Sequence, residues 1–480
     1  MNQVIEQIGQ LHRQYFEETA DTIEKLPQAG SERHYYRIRS PKGTCIATYG
    51  ENIKENDTFI YFSKHFSGKG LATAKVFCVN DAGNIYLQQD FGDVSLLDVL
   101  EKNGFTDEVY SLYKQSLQQL ALLQVKGHEG LDYSRCLTNA SFGKQAIMAD
   151  LLYFKYYFLD ALRRPYDKQK LIDDFEALSN YLSHTEYRYF MFRDFQGRNI
   201  MVKDNESVHF IDYQGGMQGA PQYDVASLLW QARANIPDNW KEQLLDDYIN
   251  AFEAVINKPV DRLLFKSQYN GYVLIRLLQV LGAYGFRGLF ERKAHFLTSI
   301  PLALQNLKWF VNYQGIGIAV PEFKKVLDLC ISDDVISSFT PLKATAETPL
   351  VVTVNSFSYR KGIPADESEN GGGFVFDMRG ILNPGRFEEY KRLSGLDKPV
   401  KDFLEQQTEM PVFLQAVYSM IDISVTEYIK RGFASLHVNF GCTGGQHRSV
   451  YAAEALVRHL RNKFNVKINF SHTNKENWVR

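Results

Sequence analysis

The chain has 480 residues, 45% hydrophobic and 23% charged, and 54 Lys+Arg against 56 Asp+Glu leave a formal charge of −2. At about 150 residues per domain that length predicts roughly three domains. The composition excludes a disordered chain, and the near-neutral balance excludes a whole-chain pull toward nucleic acid or membrane. The charge is uneven, however: residues 430–480 hold nine basic and two acidic side chains, suited to phosphate or RNA, or simply to a solvated basic face. Five scattered cysteines (Cys45, Cys78, Cys136, Cys330, Cys442) fit neither a disulfide scaffold nor a C-x-x-C metal site. The N-terminus has no signal-peptide pattern. The greasiest stretch, Ile147 to Leu162, is broken by Asp150, Lys155 and Asp160, too short and charged for a span. The expectation is a cytoplasmic protein without membrane attachment.

In chain order, residues 1–20 predict an amphipathic helix with Val4, Ile8, Leu11 and Tyr15 on one face. Short strands follow at Tyr35–Ile38, Thr44–Thr48, Lys75–Val79 and Asn84–Leu87, with turns at Pro41–Gly43 and Asn80–Gly83 and a helix at Asp57–Phe66 between. The period is helical from about 95 to 185, β-rich at 189–213, and helical again to about 330. A small strand-rich front and a large helical rear have the shape of a two-lobed kinase. Residues 331–348 are polar and aperiodic, a predicted linker. Beyond them, strands at Leu350–Val354, Gly373–Asp377 and Ser435–Phe440 alternate with helices, predicting a separate α/β unit.

The strongest signal in the front module is Phe192-Arg193-Asp194-Phe195-Gln196-Gly197-Arg198-Asn199, followed by Phe210-Ile211-Asp212. Phosphoryl transfer needs a carboxylate on the acceptor hydroxyl and a few oxygen ligands for Mg²⁺ beside the phosphates. Asp194, Asn199 and Asp212, at the end of the strand Ser207–Asp212, have that spacing. Asp90-Phe91-Gly92 spells the kinase metal motif but precedes Asp194 by about a hundred residues, whereas the metal-binding Asp follows the catalytic loop. Asp90 is therefore not read as a ligand.

This stretch resembles the aminoglycoside phosphotransferase family, and within it the anomeric N-acetylmuramate/N-acetylglucosamine kinases. The likeness extends through Leu26–Arg37, Gly50–Asp57, Leu87–Asp93, Gln222–Leu229 and Leu278–Gly282 and covers residues 1 to about 320. The resemblance implies a protein-kinase-like α+β fold over residues 1–330, with an N-lobe to about 92 and a helical C-lobe over 93–330. It makes Asp194 the catalytic base and Asn199 and Asp212 the Mg²⁺ ligands. Gly30 and Ser31 would lie over the ATP phosphates, and Gln88, Gln89, Asp90 and Phe91 would form the adenine-side hinge. The family's loop His is Phe192 here, and its strand Lys is absent from Ile46-Ala47-Thr48. Lys54 is the substitute cation the sequence offers.

In the rear module, Gly441-Cys442-Thr443-Gly444-Gly445-Gln446-His447-Arg448-Ser449 joins a strand to the helix Val450–Lys463. Backbone N–H groups of such a turn, a helix N-terminus, hydroxyls and a guanidinium fork suit a phosphate. Cys442 and Arg448 also have the spacing of cysteine-dependent phosphatases, with Asp377 and Asp397 as candidate acids. Residues 349–480 resemble the C-terminal domain of the RNase adapter RapZ, through Ser356–Pro364, Phe374–Arg379, Asn383-Pro384, Gly395–Val400 and Gly441–Tyr451. That resemblance implies a glucosamine-6-phosphate-like phosphosugar at Asp377, Arg379, Thr443, Gly444, Gly445, His447, Arg448 and Ser449, together with RNA binding and homo-oligomerisation. The combined reading is an ATP- and Mg²⁺-dependent kinase of an amino sugar fused to a phosphosugar-sensing domain. Its rival is a non-catalytic adapter built on a dead kinase fold.

Overall fold

The computed structural model describes residues 2–26, 33–204, 206–291, 294–297, 299–340, 342–366 and 373–479. It divides into two compact units, Met1–Ala283 with Leu302–Ser332, and Tyr284–Pro301 with Asp333–Arg480.

The first unit begins with a five-stranded antiparallel sheet in the order Thr22–Lys25, His34–Ser40, Gly43–Tyr49, Ile85–Gln89, Val76–Val79. The helix Asn2–Phe16 places Ile8 and Leu11 among Tyr36, Ile38, Ala47, Ile85 and Leu87 of the sheet. Thr22–Lys25 escapes sequence reading because it is an edge strand with one large apolar residue, Ile23, to show a period. The helix Ile53–Gly68 starts where Asn52 accepts the Glu55 N–H, a side-chain cap on the first turn. Later in the chain come the helices Asp107–His128, Lys168–Ser183, Asp238–Ile256 and Arg262–Gly285. Between the second and third of these helices in the chain are two antiparallel pairs, Ile200–Lys203 with Ser207–Phe210 and Tyr189–Met191 with Met217–Gly219. This is the two-lobed, protein-kinase-like arrangement expected.

By length and composition the helix Arg262–Phe290 could cross a membrane. Its Tyr272, Val273, Leu274 and Leu278 are buried in protein, and so is Arg276, as befits a core helix.

The second unit is built on a parallel sheet in the order Phe374–Asp377, Ser435–Cys442, Val351–Ser358, Lys467–His472. Val352, Val354, Leu436, Val438 and Phe440 form the buried inner strands, and Ala452, Leu456 and Leu460 of the helix Arg448–Phe464 complete the core. A separate α/β domain was expected here. Lys467–His472 hides in the sequence because it is an edge strand with its lysine, asparagine and serine exposed. Residues 331–348, read as linker, contain the helix Asp333–Phe339, and the Ala344 N–H donates to the Phe464 carbonyl at 2.7 Å.

Candidate functional site

Asp194 stands in the loop after the short strand Tyr189–Met191, with its side chain 40% exposed. Its Oδ1 accepts from Gln196 Nε2 at 2.7 Å and from Arg276 Nη2 at 3.2 Å, and Arg198 lies 3.8 Å from Oδ2. Burial pushes this carboxyl up, but Arg276, Arg198 and Arg193 outweigh it and hold the pKa below its ordinary value. Asn199 is anchored by its Nδ2 donating to the Asp194 main-chain carbonyl at 2.9 Å, and its own carbonyl accepts the Ile211 N–H at 3.1 Å. Asp194 and Asn199 are thus hydrogen-bonded to each other, and Asn199 is tied to Ile211, the residue before Asp212. Asp212 lies past the strand, which ends at Phe210, with a φ of 68°.

The loop keeps its shape without the family's histidine. Phe192 is fully buried, edge-on to Phe195, Phe210 and Tyr213, a burial contributing about 1.5–3 kcal/mol. The hydrogen bonds come from Asp224 instead: Oδ2 accepts the Phe192 N–H at 2.8 Å and Oδ1 the Arg193 N–H at 2.9 Å. Arg193 takes a φ of 78° and is tied by its side chain to Asp150 and Tyr223. Sequence reading quoted Asp224 within a motif but gave it no role, because a residue's hold on a loop thirty positions away has no local signature.

A buried cation lies beside Asp212. Arg33, 3% exposed, donates from Nη2 to Asp212 Oδ1 at 2.8 Å and lies 3.3 Å from Glu55 through Nε. Burial lowers its pKa, but Tyr35, Tyr86, Asp212 and Glu55 outweigh this, and the guanidinium stays charged. Lys54, the cation proposed from sequence, is exposed. Gln214 Nε2 also donates to Asp212 Oδ1, at 2.9 Å. Among the described residues both donors fall on one oxygen, leaving Oδ2 as an acceptor. With the anchored amide of Asn199, that is a small oxygen set of the kind a magnesium ion takes alongside phosphates.

At the hinge, Gln88 donates to Thr48 Oγ1 at 3.0 Å, Asp90 takes a two-pronged contact from Arg37 at 2.7 and 2.9 Å, and Phe91 stacks on His209 at 4.1 Å. Gln89 pairs with Lys75 through its main-chain N–H. With three of these side chains committed to the fold, a base would be read here by main-chain groups. Both carboxylate oxygens of Asp90 are taken up by Arg37. Gly30 and Ser31 lie outside the described residues.

In the second unit the Gly-rich turn closes the strand Ser435–Cys442 and opens the helix Arg448–Phe464. Thr443 and Gly444 are exposed at its tip, and nothing lies within 4 Å of a Cβ built on Gly444. Arg448, 5% exposed, donates from Nη1 to the carbonyls of Arg379 at 3.1 Å and Ile381 at 2.7 Å and also interacts with Cys442, while among the described residues its Nε is buried without a hydrogen-bond partner. Asp377 is held by Arg379, Nη2 to Oδ2 at 2.6 Å. His447 meets the Tyr390 carbonyl at 2.9 Å, and burial lowers its pKa, favouring the neutral ring. Ser449 is fully buried and shares a 3.1 Å contact with the Cys442 sulfur, so it braces the turn from inside.

Both phosphatase-acid candidates are engaged elsewhere, Asp377 with Arg379 and Asp397 with Ser394 at 2.7 Å. Gln446 donates from Nε2 to the carbonyls of Leu393 at 2.8 Å and Val479 at 3.0 Å and accepts the Val479 N–H at 2.9 Å. Gly445 has a φ of 63°, and a Cβ there would meet Ser358 N and Asn474 Cβ at 3.0 Å. Gly445→Ala is expected to cost about 1–2 kcal/mol from the left-handed backbone alone, read as a lowered melting temperature.

Residues 46–256 match the phosphotransferase enzyme family, and residues 350–476 match the RapZ C-terminal domain. A nucleotide-binding protein of Fervidobacterium nodosum is 32% identical over 202 residues, 39% of this chain and 67% of that protein. A nucleotide-binding protein of Clostridium botulinum is 41% identical over 127 residues, 26% of this chain and 41% of its own. The chain thus spans about two fifths of the length of that relative. Among solved structures, choline kinase LicA from Streptococcus pneumoniae is 12% identical, with 65% of this chain and 100% of that chain covered at a TM-score of 0.43.

Proposed function

From its membership in the phosphotransferase enzyme family through residues 46–256, and its RapZ C-terminal domain at residues 350–476, we propose that the protein is a cytoplasmic Mg-ATP-dependent kinase. It phosphorylates a hydroxyl of an amino sugar, the anomeric one of N-acetylglucosamine or N-acetylmuramate, and carries a phosphosugar-binding domain. The observation that carries the kinase reading is Asn199 bonded to the Asp194 carbonyl and, through its own carbonyl, to Ile211, the residue next to Asp212. The amino-sugar class rests on both halves resembling proteins that handle amino sugars.

Asp194 orients the acceptor hydroxyl and takes its proton as the oxygen attacks the γ-phosphorus and the β–γ bridging bond breaks to give ADP. Asn199 and Asp212 would hold a magnesium ion, which when bound neutralises charge on the phosphate oxygens. Arg198, 3.8 Å from Asp194 Oδ2, adds positive charge beside the base.

The adapter reading drew on the missing loop His and strand Lys. Asp224 bonded to the catalytic-loop N–H groups and Arg33 bonded to Asp212 support the kinase reading over it. In the rear domain the buried, unpartnered Nε of Arg448 is a donor for an anion at the turn. Arg448→Lys keeps the charge and loses the fork, so glucosamine-6-phosphate should bind the full chain about tenfold more weakly by calorimetry, about 1.4 kcal/mol. Unchanged affinity would remove Arg448 from the site.

The deciding experiment follows ADP and sugar phosphate with Mg-ATP and a panel of N-acetylglucosamine, N-acetylmuramate, glucosamine and choline. Stimulation by an N-acetylated amino sugar supports the proposal, and stimulation by choline alone moves the acceptor class. No stimulation by any acceptor leaves the adapter.

A further inference from the structure

Kinases hold the nucleotide's phosphates with a cation on the third strand, paired to a glutamate of the following helix. Here the strand Gly43–Tyr49 contains no cation, yet the glutamate, Glu55, is in place on the helix Ile53–Gly68. Arg33 precedes the neighbouring strand His34–Ser40. Its Nη1 reaches the Tyr86 hydroxyl at 3.5 Å, and Tyr86 pairs with Thr48 across the sheet. The guanidinium therefore covers the sheet face on which Thr48, midway along that strand, is found. From there it spans Glu55 on one side and Asp212 on the other. Of the two arginines within the strand His34–Ser40, Arg37 is engaged by Asp90 and Asp93, and Arg39 is exposed toward the strand's far end.

We infer that Arg33 is the phosphate-binding cation of this enzyme, grafted from the loop before the second strand in place of the strand lysine, and that its ligand is the α/β-phosphate pair of a nucleoside triphosphate. The inference rests on the kinase reading. Glu55 fixes the guanidinium through Nε, as the helix glutamate does for lysine. The contact with Asp212 puts the fork one hydrogen bond from the carboxylate assigned to the metal, within reach of the same phosphate oxygens. A planar fork suits two phosphates at once, which a lysine does not.

The test is calorimetric titration of adenosine and of Mg-ATP into the full-length wild type, Arg33→Gln and Arg33→Lys. Arg33→Gln should weaken Mg-ATP at least about tenfold, the worth of one charged hydrogen bond, with adenosine unchanged and Arg33→Lys recovering part of the loss. Equal weakening of adenosine and Mg-ATP, or no weakening of either, overturns the assignment, since the first marks a purely structural arginine. A wild type that binds adenosine and Mg-ATP alike, with no contribution from the phosphates, overturns it too. A wild type that binds neither brings down the kinase reading itself, and this inference with it.

Discussion

Asp194→Asn is expected to lower sugar-dependent ADP release about 10³-fold, within the usual range for losing a positioned acid or base, while Mg-ATP binding stays close to wild type. The asparagine can still accept from Arg276 and Gln196 through its oxygen, as Asp194 Oδ1 does, so the loop geometry survives. Its other atom is a donor and cannot take the acceptor's proton. The same three arginines that hold Asp194 below the usual carboxylate pKa make it a weak base before reaction. Its first task is then to orient the hydroxyl, with proton transfer late, as a loose phosphoryl-transfer transition state permits. The sign for pH follows: with the folded pKa depressed, the group is ionised at neutrality and loses its proton-accepting form only as pH falls through the acid range. Turnover should show no acid limb from Asp194 near pH 6–7. Turnover by Asp194→Asn equal to wild type would exclude Asp194 as the base.

What could be read from the sequence was whatever is local. The Asp194–Asn199 spacing, the strand–turn–helix at Gly441–Ser449 and the apolar runs of the inner strands each write themselves into a short window. The edge strands Thr22–Lys25 and Lys467–His472 do not, because exposed faces carry few apolar residues to set a period of two. The functional residues that escaped share a different cause. Arg33 meets Asp212 across 179 positions, and Arg276 meets Asp194 across 82. Such pairings are made by tertiary packing, and an arginine at the start of a strand, or in the middle of an apolar helix, is ambiguous until its partner is seen. The departures from the family pattern could be read, but not the contacts that surround them. Phe192 announced a lost histidine, while Asp224 announced nothing.

Asp224 supports the second large prediction, since both catalytic-loop N–H groups end on it. Gln124 adds a third donor, Nε2 to Oδ2 at 2.9 Å. The side chain is fully enclosed, and burial raises its pKa to about 6 against the pull of those donors. In Asp224→Asn one oxygen becomes an N–H₂ facing donors that need an acceptor, so at least one loop N–H is left buried and unpaired, a cost of about 1–3 kcal/mol. A loop displaced by an ångström or so costs about 10²-fold in turnover, so kcat should fall by that order although Asp224 touches no substrate. The pH dependence separates this from a general loss of fold. With its folded pKa raised, the Asp224 carboxyl contributes stability that is fully present below about pH 4 and lost as pH rises through about 6, roughly 3 kcal/mol in all. The asparagine variant has no such term. The gap in melting temperature between wild type and Asp224→Asn should therefore be widest at pH 4 and shrink toward pH 7, with every other titrating group cancelling in the difference. A gap constant across that window would mean the carboxyl is ionised throughout, held so by its three donors. An unchanged kcat would mean that the buried apolar packing of Phe192 alone sets the loop.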